Sequence, residues 1–381
     1  MSVLLFTGKG GVGKTTVAAM TAIKSSSLGY KTLIISTDPA HSLSDSFQFQ
    51  FGAEPTKVSE KLYGMEVNVE YELKKHWNVI KDYLLLFFKS QGIEDVIAEE
   101  LAILPGFDEV ASLLNLLEYY QRRSFDVIIL DCAPTGETLR LLSVPEVAKW
   151  YMNRFFGIEK KLMKIVKPIA EPLIKIPLPS EEIMDRIQEM YVKISKLKDL
   201  LESDEAMVRI VMNPEKMVIK ESERAFTYLN LFGYTVDCVI VNKVFPPNAG
   251  EFFSDWIKMQ EGYIKQIRES FPVPTIFVPF QRSEIVGEKL YELADKIFDF
   301  DPTKRLISGK PMKIEKDGDT FVLKIQAPFI RKEEIEIYRR GNELIVIAGQ
   351  WKRTIFLPQA LSLKDTIGAS FNNNEIQIKF R

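Results

Sequence analysis

A glycine-rich run near the amino terminus carries the residues best suited to chemistry. Its glycines let the backbone curl so that successive N–H groups point inward, beside a helix terminus whose dipole favours anions. Within such a loop, Lys14 would reach the β- and γ-phosphates of a nucleotide, and the Thr15 hydroxyl would bind Mg²⁺. The run fits the phosphate-loop pattern G-x-x-x-x-G-K-S/T, and its members are Gly8, Lys9, Gly10, Gly11, Val12, Gly13, Lys14, Thr15 and Thr16.

The segments on either side of this run supply the context that a phosphate loop needs. Residues 3–6 predict a buried strand and residues 15–28 predict a helix. A chance glycine-rich turn is the alternative, and the agreement of strand, loop and helix disfavours it.

The rest of the first 300 residues alternates between strand and helix patterns. Such alternation predicts α/β architecture, with a mostly parallel sheet flanked by helices. The strand at 62–69 is expected to be exposed or at an edge, and prolines interrupt a long, mainly helical stretch at 146–201. Further strands are predicted at 31–37, 126–130, 208–212, 236–241 and 275–278, and helices at 71–100, 108–120, 219–232, 253–270 and 283–298.

The pattern changes after residue 302. Beyond it, apolar residues recur at every second position in short runs, with polar turns at 340–342 and 372–374. Several short strands at this spacing predict a small antiparallel β-sandwich over residues 311–381. Residues 303–310 are predicted to form the linker.

Composition excludes several classes of protein. The net charge of −2 gives no global signal for nucleic acid, and no apolar run approaches the roughly 20 residues of a membrane span. Two cysteines rule out a disulfide framework and indicate a reducing compartment. The first residues enter a strand at once, without room for a signal peptide. These features predict a soluble, cytoplasmic protein.

Three further segments make the phosphate loop more specific. They are STDPAHSLSD at 36–45, LPGFDE at 104–109 and DCAPTGETLR at 131–140. With the loop, they resemble the arsenite-pump and tail-anchored-protein-targeting ATPases, which carry a deviant, lysine-bearing phosphate loop. The resemblance covers about residues 1–300. It implies an ATPase domain at 1–302, a helical subdomain at approximately 71–122 and 146–201, a homodimer, and ATP, ADP and Mg²⁺ as cofactors.

The resemblance also implies roles for individual residues. Lys9 would cross the dimer interface to the partner's phosphates, as a catalytic residue beside Lys14. Asp38 would polarise the attacking water, and Asp131 would act on Mg²⁺ through a water molecule. The alternatives are a solvated surface lysine for Lys9 and a turn or helix cap for Asp38. Residues that would respond to the γ-phosphate are Asp38, Pro39, His41, Pro134, Thr135 and Gly136, with His41 structural rather than catalytic.

On the adenine side, the resemblance implies Asn242, Pro279 and Phe280. An asparagine amide has the donor and the acceptor that an adenine edge requires. An ordinary turn at the end of a strand is the alternative for these residues.

Many members of the resembling family bind zinc across the dimer through a C-x-x-C pair. The matching stretch here reads Gly250-Glu251-Phe252-Phe253, so no thiolate zinc site is expected. The thiols that respond to arsenite are absent as well, which argues against arsenite extrusion. The dimer would therefore need another support, such as hydrophobic contacts or the carboxy-terminal segment.

The carboxy-terminal segment is similar to the α-crystallin domain of small heat-shock proteins. The similar segments are WKRTIFLP at 351–358, IGASF at 367–371 and IQIK at 376–379. A β-sandwich that only packs on the neighbouring domain is an equally weighted alternative.

The resemblance implies a groove for a hydrophobic client such as a transmembrane segment, and a possible membrane receptor. The apolar helical stretches around 83–88 and 150–166 suit such a groove, but they also suit a helical layer that is buried within the fold or the dimer. Alternative functions are an ATP-switched holdase acting through the β-sandwich, a positioning or partitioning ATPase of the same class, and a metal-cluster carrier. Near-neutral charge, a β-rich end and two scattered cysteines disfavour the last two.

Overall fold

An eight-stranded, mostly parallel sheet forms the centre of the molecule. The computed structural model describes residues 1–37, 42–68, 71, 78–90, 92–102, 107–132 and 180–381. The strands comprise Ser2–Thr7 (β1), Thr32–Ser36 (β2), Thr56–Lys57 (β3), Leu62–Glu66 (β4), Val127–Asp131 (β5), Ala206–Met212 (β6), Val236–Val244 (β7) and Thr275–Pro279 (β8). Along the sheet they run in the order β3-β4-β2-β5-β1-β6-β7-β8.

Helices accompany this sheet along the described chain. They comprise Lys14–Ser27 (α1), Ser42–Phe47 (α2), Asn78–Ser90 (α3), Asp95–Ala102 (α4), Phe107–Gln121 (α5), Glu181–Leu201 (α6), Lys216–Leu231 (α7), Ser254–Ser270 (α8) and Glu288–Ile297 (α9). Strands β1, β2 and β5 are buried almost throughout, as expected of apolar strands covered on both faces. The predicted fold class, an α/β phosphate-loop nucleotide-binding fold with a carboxy-terminal all-β region, is confirmed.

The prediction for residues 62–69 was wrong in its placement. The strand spans Leu62–Glu66 and is largely buried, since the two-residue strand β3 pairs antiparallel with its outer side. Glu66, the last residue of this strand, connects it to helix α2, because its carboxylate accepts hydrogen bonds from the backbone N–H and the hydroxyl of Ser44. The helix predicted over 71–100 divides into α3 and α4 within the described residues. Of the stretch 146–201, residues 146–179 lie outside the described residues.

The carboxy-terminal region contains two antiparallel sheets. The strands are Met312–Asp317 (β9), Thr320–Gln326 (β10), Ile335–Arg340 (β11), Glu343–Ala348 (β12), Trp351–Phe356 (β13), Thr366–Asn372 (β14) and Glu375–Phe380 (β15), with a short helix at Gln359–Ser362 (α10). One sheet has the order β14-β15-β10-β9 and the other β11-β12-β13. The periodicity of the sequence did not predict strands β9, β13 and β14.

Buried charges hold the predicted linker against the amino-terminal ends of β6 and β7. The guanidinium of Arg209 pairs with the carboxylate of Asp237 at 3.1 and 3.2 Å, and both side chains are fully buried. Burial opposes the charge on Arg209, but the Asp237 carboxylate outweighs this and raises the pKa of the guanidinium. The pair also bonds the linker, through the carbonyl of Lys304 and the N–H of Leu306.

The β-sandwich packs directly on helix α7. The ring of Phe329 contacts Phe226 edge-on at 5.7 Å, and the ring of Trp351 contacts Tyr228 at 4.7 Å. Phe226 and Tyr228 are buried by this packing. The sandwich also contacts the end of α7, where Arg353 of β13 donates to the carbonyl of Leu231.

Among the described residues, the structure contains no helix long and apolar enough to cross a membrane.

Candidate nucleotide site

The glycine-rich run lies between the end of β1 and the start of α1, at the carboxyl edge of the sheet. Gly13 caps α1 with a φ of 93°, a left-handed conformation that favours glycine. A Cβ atom at this position would lie 2.3 Å from Nδ2 of Asn242. Glycine is thus required here both by backbone conformation and by the close approach of a neighbouring side chain.

The two residues that would contact phosphate and metal open helix α1. The ammonium of Lys14 is buried and donates a 3.4 Å hydrogen bond to the carbonyl of Lys9, across the loop. The hydroxyl of Thr15 lies 3.2 Å from the hydroxyl of Ser42. Lys9 is half-buried at the loop mouth, next to exposed Gly10 and Gly11.

Asp131 ends the central strand β5. In the parallel register it stands beside Phe6 of β1 and Ser36 of β2, so its buried carboxylate lies at the loop's edge of the sheet. Thr15 and Asp131 provide the hydroxyl and carboxylate oxygens that Mg²⁺ prefers alongside phosphate oxygens and water. Among the described residues no cluster of three or more His, Cys, Asp or Glu could hold a metal ion. Mg²⁺ bound with a nucleotide does not need such a cluster, so these donors fit it.

The residues predicted to respond to the γ-phosphate lie outside the described residues. They are Asp38, Pro39, His41, Pro134, Thr135 and Gly136. Their roles, and the catalytic roles of Lys9 and Lys14, remain predictions.

The structure brings Asn242 against the phosphate loop. Its Nδ2 donates to the carbonyl of Val12 at 2.8 Å, and its Oδ1 accepts from the N–H of Lys243 at 2.9 Å. Pro279 ends the neighbouring strand β8 and Phe280 follows it; both are exposed, and the N–H of Phe280 donates to the carbonyl of Val244. An adenine-side role for all three remains a prediction, with part of the Asn242 amide already engaged by the protein.

Sequence reasoning missed two residues at this edge. Lys243 places its ammonium 2.7 Å from the carbonyl of Gly11, and Gln260 of helix α8 bonds the backbone on either side of Val244. Neither contact could be predicted from the sequence, because both depend on the local path of β7.

Strand, glycine loop and helix, with a threonine hydroxyl and a carboxylate at the same edge of a parallel sheet, define a phosphate-loop nucleotide-binding protein. Residues 1–299 match the family model described as anion-transporting ATPase, and residues 318–380 match an HSP20-like domain found in ArsA. The chain belongs to the anion-transporting ATPase family, and it is an ATPase.

Relatives of known name agree with this assignment. A protein of Aquifex aeolicus named as arsenical pump-driving ATPase 1 is 39% identical over 393 residues, covering 99% of both chains. One of Prosthecochloris vibrioformis, named as an arsenical pump-driving ATPase, is 40% identical and covers 100% of this chain and 96% of its own. The ATPase ASNA1 homolog 1 of Paramecium tetraurelia is 30% identical over 74% of this chain and 87% of its own.

Proposed function

We propose that the protein is a homodimeric, Mg²⁺-dependent ATPase in which ATP binding closes two copies and thereby controls apolar surface for a hydrophobic client. The observation that carries the client proposal is the exposure of apolar side chains on helices α3 and α4. Leu86 is 60% exposed, Val96 72% and Ile97 48%. The two helices contact each other, and apolar side chains exposed together on neighbouring helices are typical of protein or membrane contact sites.

These two helices stand next to the nucleotide edge in the order of the chain. Strand β4 ends at the carboxyl edge of the parallel sheet, as β1 does, and α3 and α4 follow it. A conformational change caused by nucleotide at that edge can therefore move the two helices, because only a short stretch of chain separates them from it. A transmembrane segment is the client class that suits such apolar side chains.

An aromatic patch supports the homodimer. We define it as Phe252, Trp256, Met259 and Phe280, with Phe245 and Phe253 beneath them; Phe252 alone is 86% exposed. The centre of the Phe245 ring lies 5.0 Å from that of Phe253 and 5.1 Å from that of Phe280. The patch follows the carboxyl ends of β7 and β8, at the edge that holds the phosphate loop. A second copy packed there would remove this surface from water and would bring two nucleotide sites together.

Lys9 and Lys14 are the cations that would act at the phosphates. Lys14 lies inside the loop, where its charge would offset that of the β- and γ-phosphates. Lys9 lies at the loop mouth, where it would reach a nucleotide held by the second copy. Charge placed there in advance stabilises the charge that develops as the γ-phosphoryl group leaves. The attacking water would be oriented by Asp38.

Driving an arsenical pump is the activity that the relatives' names suggest, and the small number of thiols in this chain disfavours it. Trivalent arsenic binds soft thiolate ligands, and the sequence contains only Cys132 and Cys238. Both are buried, and burial raises the pKa of the Cys238 thiol. A cytoplasmic location and a membrane receptor belong to the proposal as well.

The client proposal is tested by ATP-dependent capture of an apolar peptide. Purified protein is mixed with a fluorescent transmembrane peptide in detergent-free buffer, and binding is followed by anisotropy with and without a non-hydrolysable ATP analogue. A Leu86→Ser, Val96→Ser double variant is expected to bind at least several-fold more weakly. Met217→Ser on α7, an equally exposed apolar residue elsewhere, serves as the matched control. Equal binding by all three proteins would contradict the proposal.

The dimer proposal is tested separately. Trp256→Glu places a charge in the aromatic patch without touching the phosphate loop, and Met217→Glu is the control. Sedimentation velocity with Mg²⁺ and the analogue should show dimers for the wild type and the control, and monomers for Trp256→Glu. A dimer that survives Trp256→Glu would place the contact elsewhere and refute the role of the patch.

A holdase activity of the β-sandwich is the second candidate. It is favoured by exposed apolar side chains on its surface, namely Ile314, Tyr338, Leu363 and Ile367. Deleting the sandwich would also uncover Phe226 and Tyr228 of the ATPase domain, so deletion is a poor test. Replacing Leu363 and Ile367 by serine and measuring suppression of aggregation of a reporter protein separates the two candidates, because the exposed apolar side chains of α3 and α4 are unchanged.

A further inference from the structure

Strand β7 is interrupted beside the phosphate loop. Its pairing with β8 shifts register between Val241 and Val244, which marks a bulge at Asn242 and Lys243. Lys243 has a φ of 58°, a left-handed conformation that is uncommon for a residue with a side chain. Bulges next to binding sites redirect side chains that a regular strand would point elsewhere. The chain here has a conformation that local sequence does not favour.

Hydrogen bonds from Asn242 itself and from a side chain of helix α8 hold this bulge in place. The Oδ1 of Asn242 accepts from the N–H of Lys243. From helix α8, the buried amide of Gln260 donates to the carbonyl of Lys243 at 3.2 Å and accepts from the N–H of Phe245 at 2.9 Å. Backbone conformations of this kind persist when surrounding structure fixes them, and they cluster at binding sites.

The consequence of the bulge is the position of the Lys243 ammonium. It donates a 2.7 Å hydrogen bond to the carbonyl of Gly11, at the exposed tip of the phosphate loop. An ammonium has three N–H donors, so two remain beyond the one that Gly11 accepts. No carboxylate of the described residues forms an ion pair with it. A cation held at this position is suited to an anionic or polar ligand on the loop.

We propose that Lys243 is a nucleotide-positioning residue, which fixes the tip of the phosphate loop and contacts the nucleotide on the side that ATP and ADP share. Its neighbours favour that side. Asn242 contacts Val12 of the loop, and the backbone N–H of Phe280, whose ring is exposed, donates to the carbonyl of Val244. The ammonium of Lys243 thus lies on the loop, while its backbone is two residues before Phe245 of the aromatic patch. This inference rests on ATP binding by the family and is independent of the client and dimer proposals.

The test removes the side chain while keeping the backbone conformation. Lys243→Gly suits a positive φ, so the bulge is retained. Dissociation constants for ATP and ADP are measured by calorimetry on the full chain, together with kcat at saturating ATP. Loss of one charge-assisted hydrogen bond to a ligand predicts about ten- to hundredfold weaker binding. Both nucleotides should weaken alike, with kcat within about threefold, since the contact is made equally before and during reaction.

Two comparisons separate positioning from a structural role. Lys243→Arg keeps a cation and should restore most of the affinity, whereas Lys258→Ala, an exposed lysine on α8, should leave it unchanged. The melting temperature without nucleotide should be the same for Lys243→Gly and the wild type. Unchanged dissociation constants would overturn the proposal. Weakening of ATP alone would overturn it as well, and so would a fall in melting temperature that accounts for the lost affinity. Loss of dimers in the Trp256→Glu experiment would not affect these results.

Discussion

Arg353 is the residue whose removal tests most sharply how the β-sandwich is attached. It lies on β13, is 2% exposed, and extends from the sandwich into the ATPase domain. One of its nitrogens donates to the carbonyl of Leu231 at the end of α7, and another donates to Oε1 of Glu202 at 3.2 Å. Its guanidinium carbon also lies 5.4 Å from the centre of the Phe232 ring. Arg353→Ala removes all of these contacts.

The size of the effect follows from the kind of contact that is lost. A hydrogen bond to a charged group contributes about 1.5–3 kcal/mol, and the abandoned Leu231 carbonyl adds part of its desolvation penalty. The Glu202 side chain is 27% exposed, so solvent screens its share. We therefore expect Arg353→Ala to lower the free energy of unfolding by about 2–4 kcal/mol.

The assay is urea unfolding, followed by circular dichroism and by tryptophan fluorescence, since Trp351 lies in the same contact. Arg331→Ala is the matched control, because Arg331 is 79% exposed and pairs with nearby Glu334 on the sandwich surface. The control should change stability by less than about 0.5 kcal/mol. If Arg353→Ala behaves like the control, the sandwich is not held by this residue and the reasoning fails.

Three further predictions concern the phosphate loop and Asp301, which lies at the junction where the ATPase domain meets the predicted linker. Gly13→Ala should abolish nucleotide binding measured by calorimetry, because its Cβ would overlap the Asn242 amide, while Gly11→Ala, whose Cβ meets nothing within 4 Å, should cost only about 1 kcal/mol of stability. Lys14→Met should weaken ATP binding by about ten- to hundredfold with the fold intact by circular dichroism; wild-type affinity would refute its role. At the junction, burial alone would raise the pKa of Asp301, but hydrogen bonds from Thr303 and Tyr30 lower it overall below its ordinary 3.8. Its contribution to stability is thus present above pH 3.8 and lost as pH falls through the lower folded value, so Asp301→Asn should remove that loss in acid unfolding curves; an unchanged acid limb would contradict this.

Most of the fold could be predicted from short-range patterns in the sequence. Alternation of strand and helix predicted the parallel sheet, and the phosphate loop with its flanks lies where its sequence indicates, because glycine, lysine and helix are consecutive. The strand at 62–66 shows what such sequence patterns cannot reveal. Its apolar residues did not reveal that two residues, Thr56 and Lys57, would cover its outer side.

Contacts between distant residues were not accessible from sequence. Arg209 and Asp237 form a buried pair across two strands, and nothing in either strand marks one charge as the other's partner. The side chain of Arg353 meets Glu202 across 151 positions of chain. The bulge that turns Lys243 toward Gly11 depends on Gln260, which no motif includes. Each of these features arises from tertiary packing rather than from local preference.

We expect a bound triphosphate to bring two copies of the chain together and to change the apolar surface that they expose. Small-angle X-ray scattering of the full chain, with Mg²⁺ and a non-hydrolysable ATP analogue and then with ADP, measures this directly. We expect a dimer that becomes more compact with the analogue than with ADP. Monomers in both states, or identical scattering with the two nucleotides, would contradict the claim.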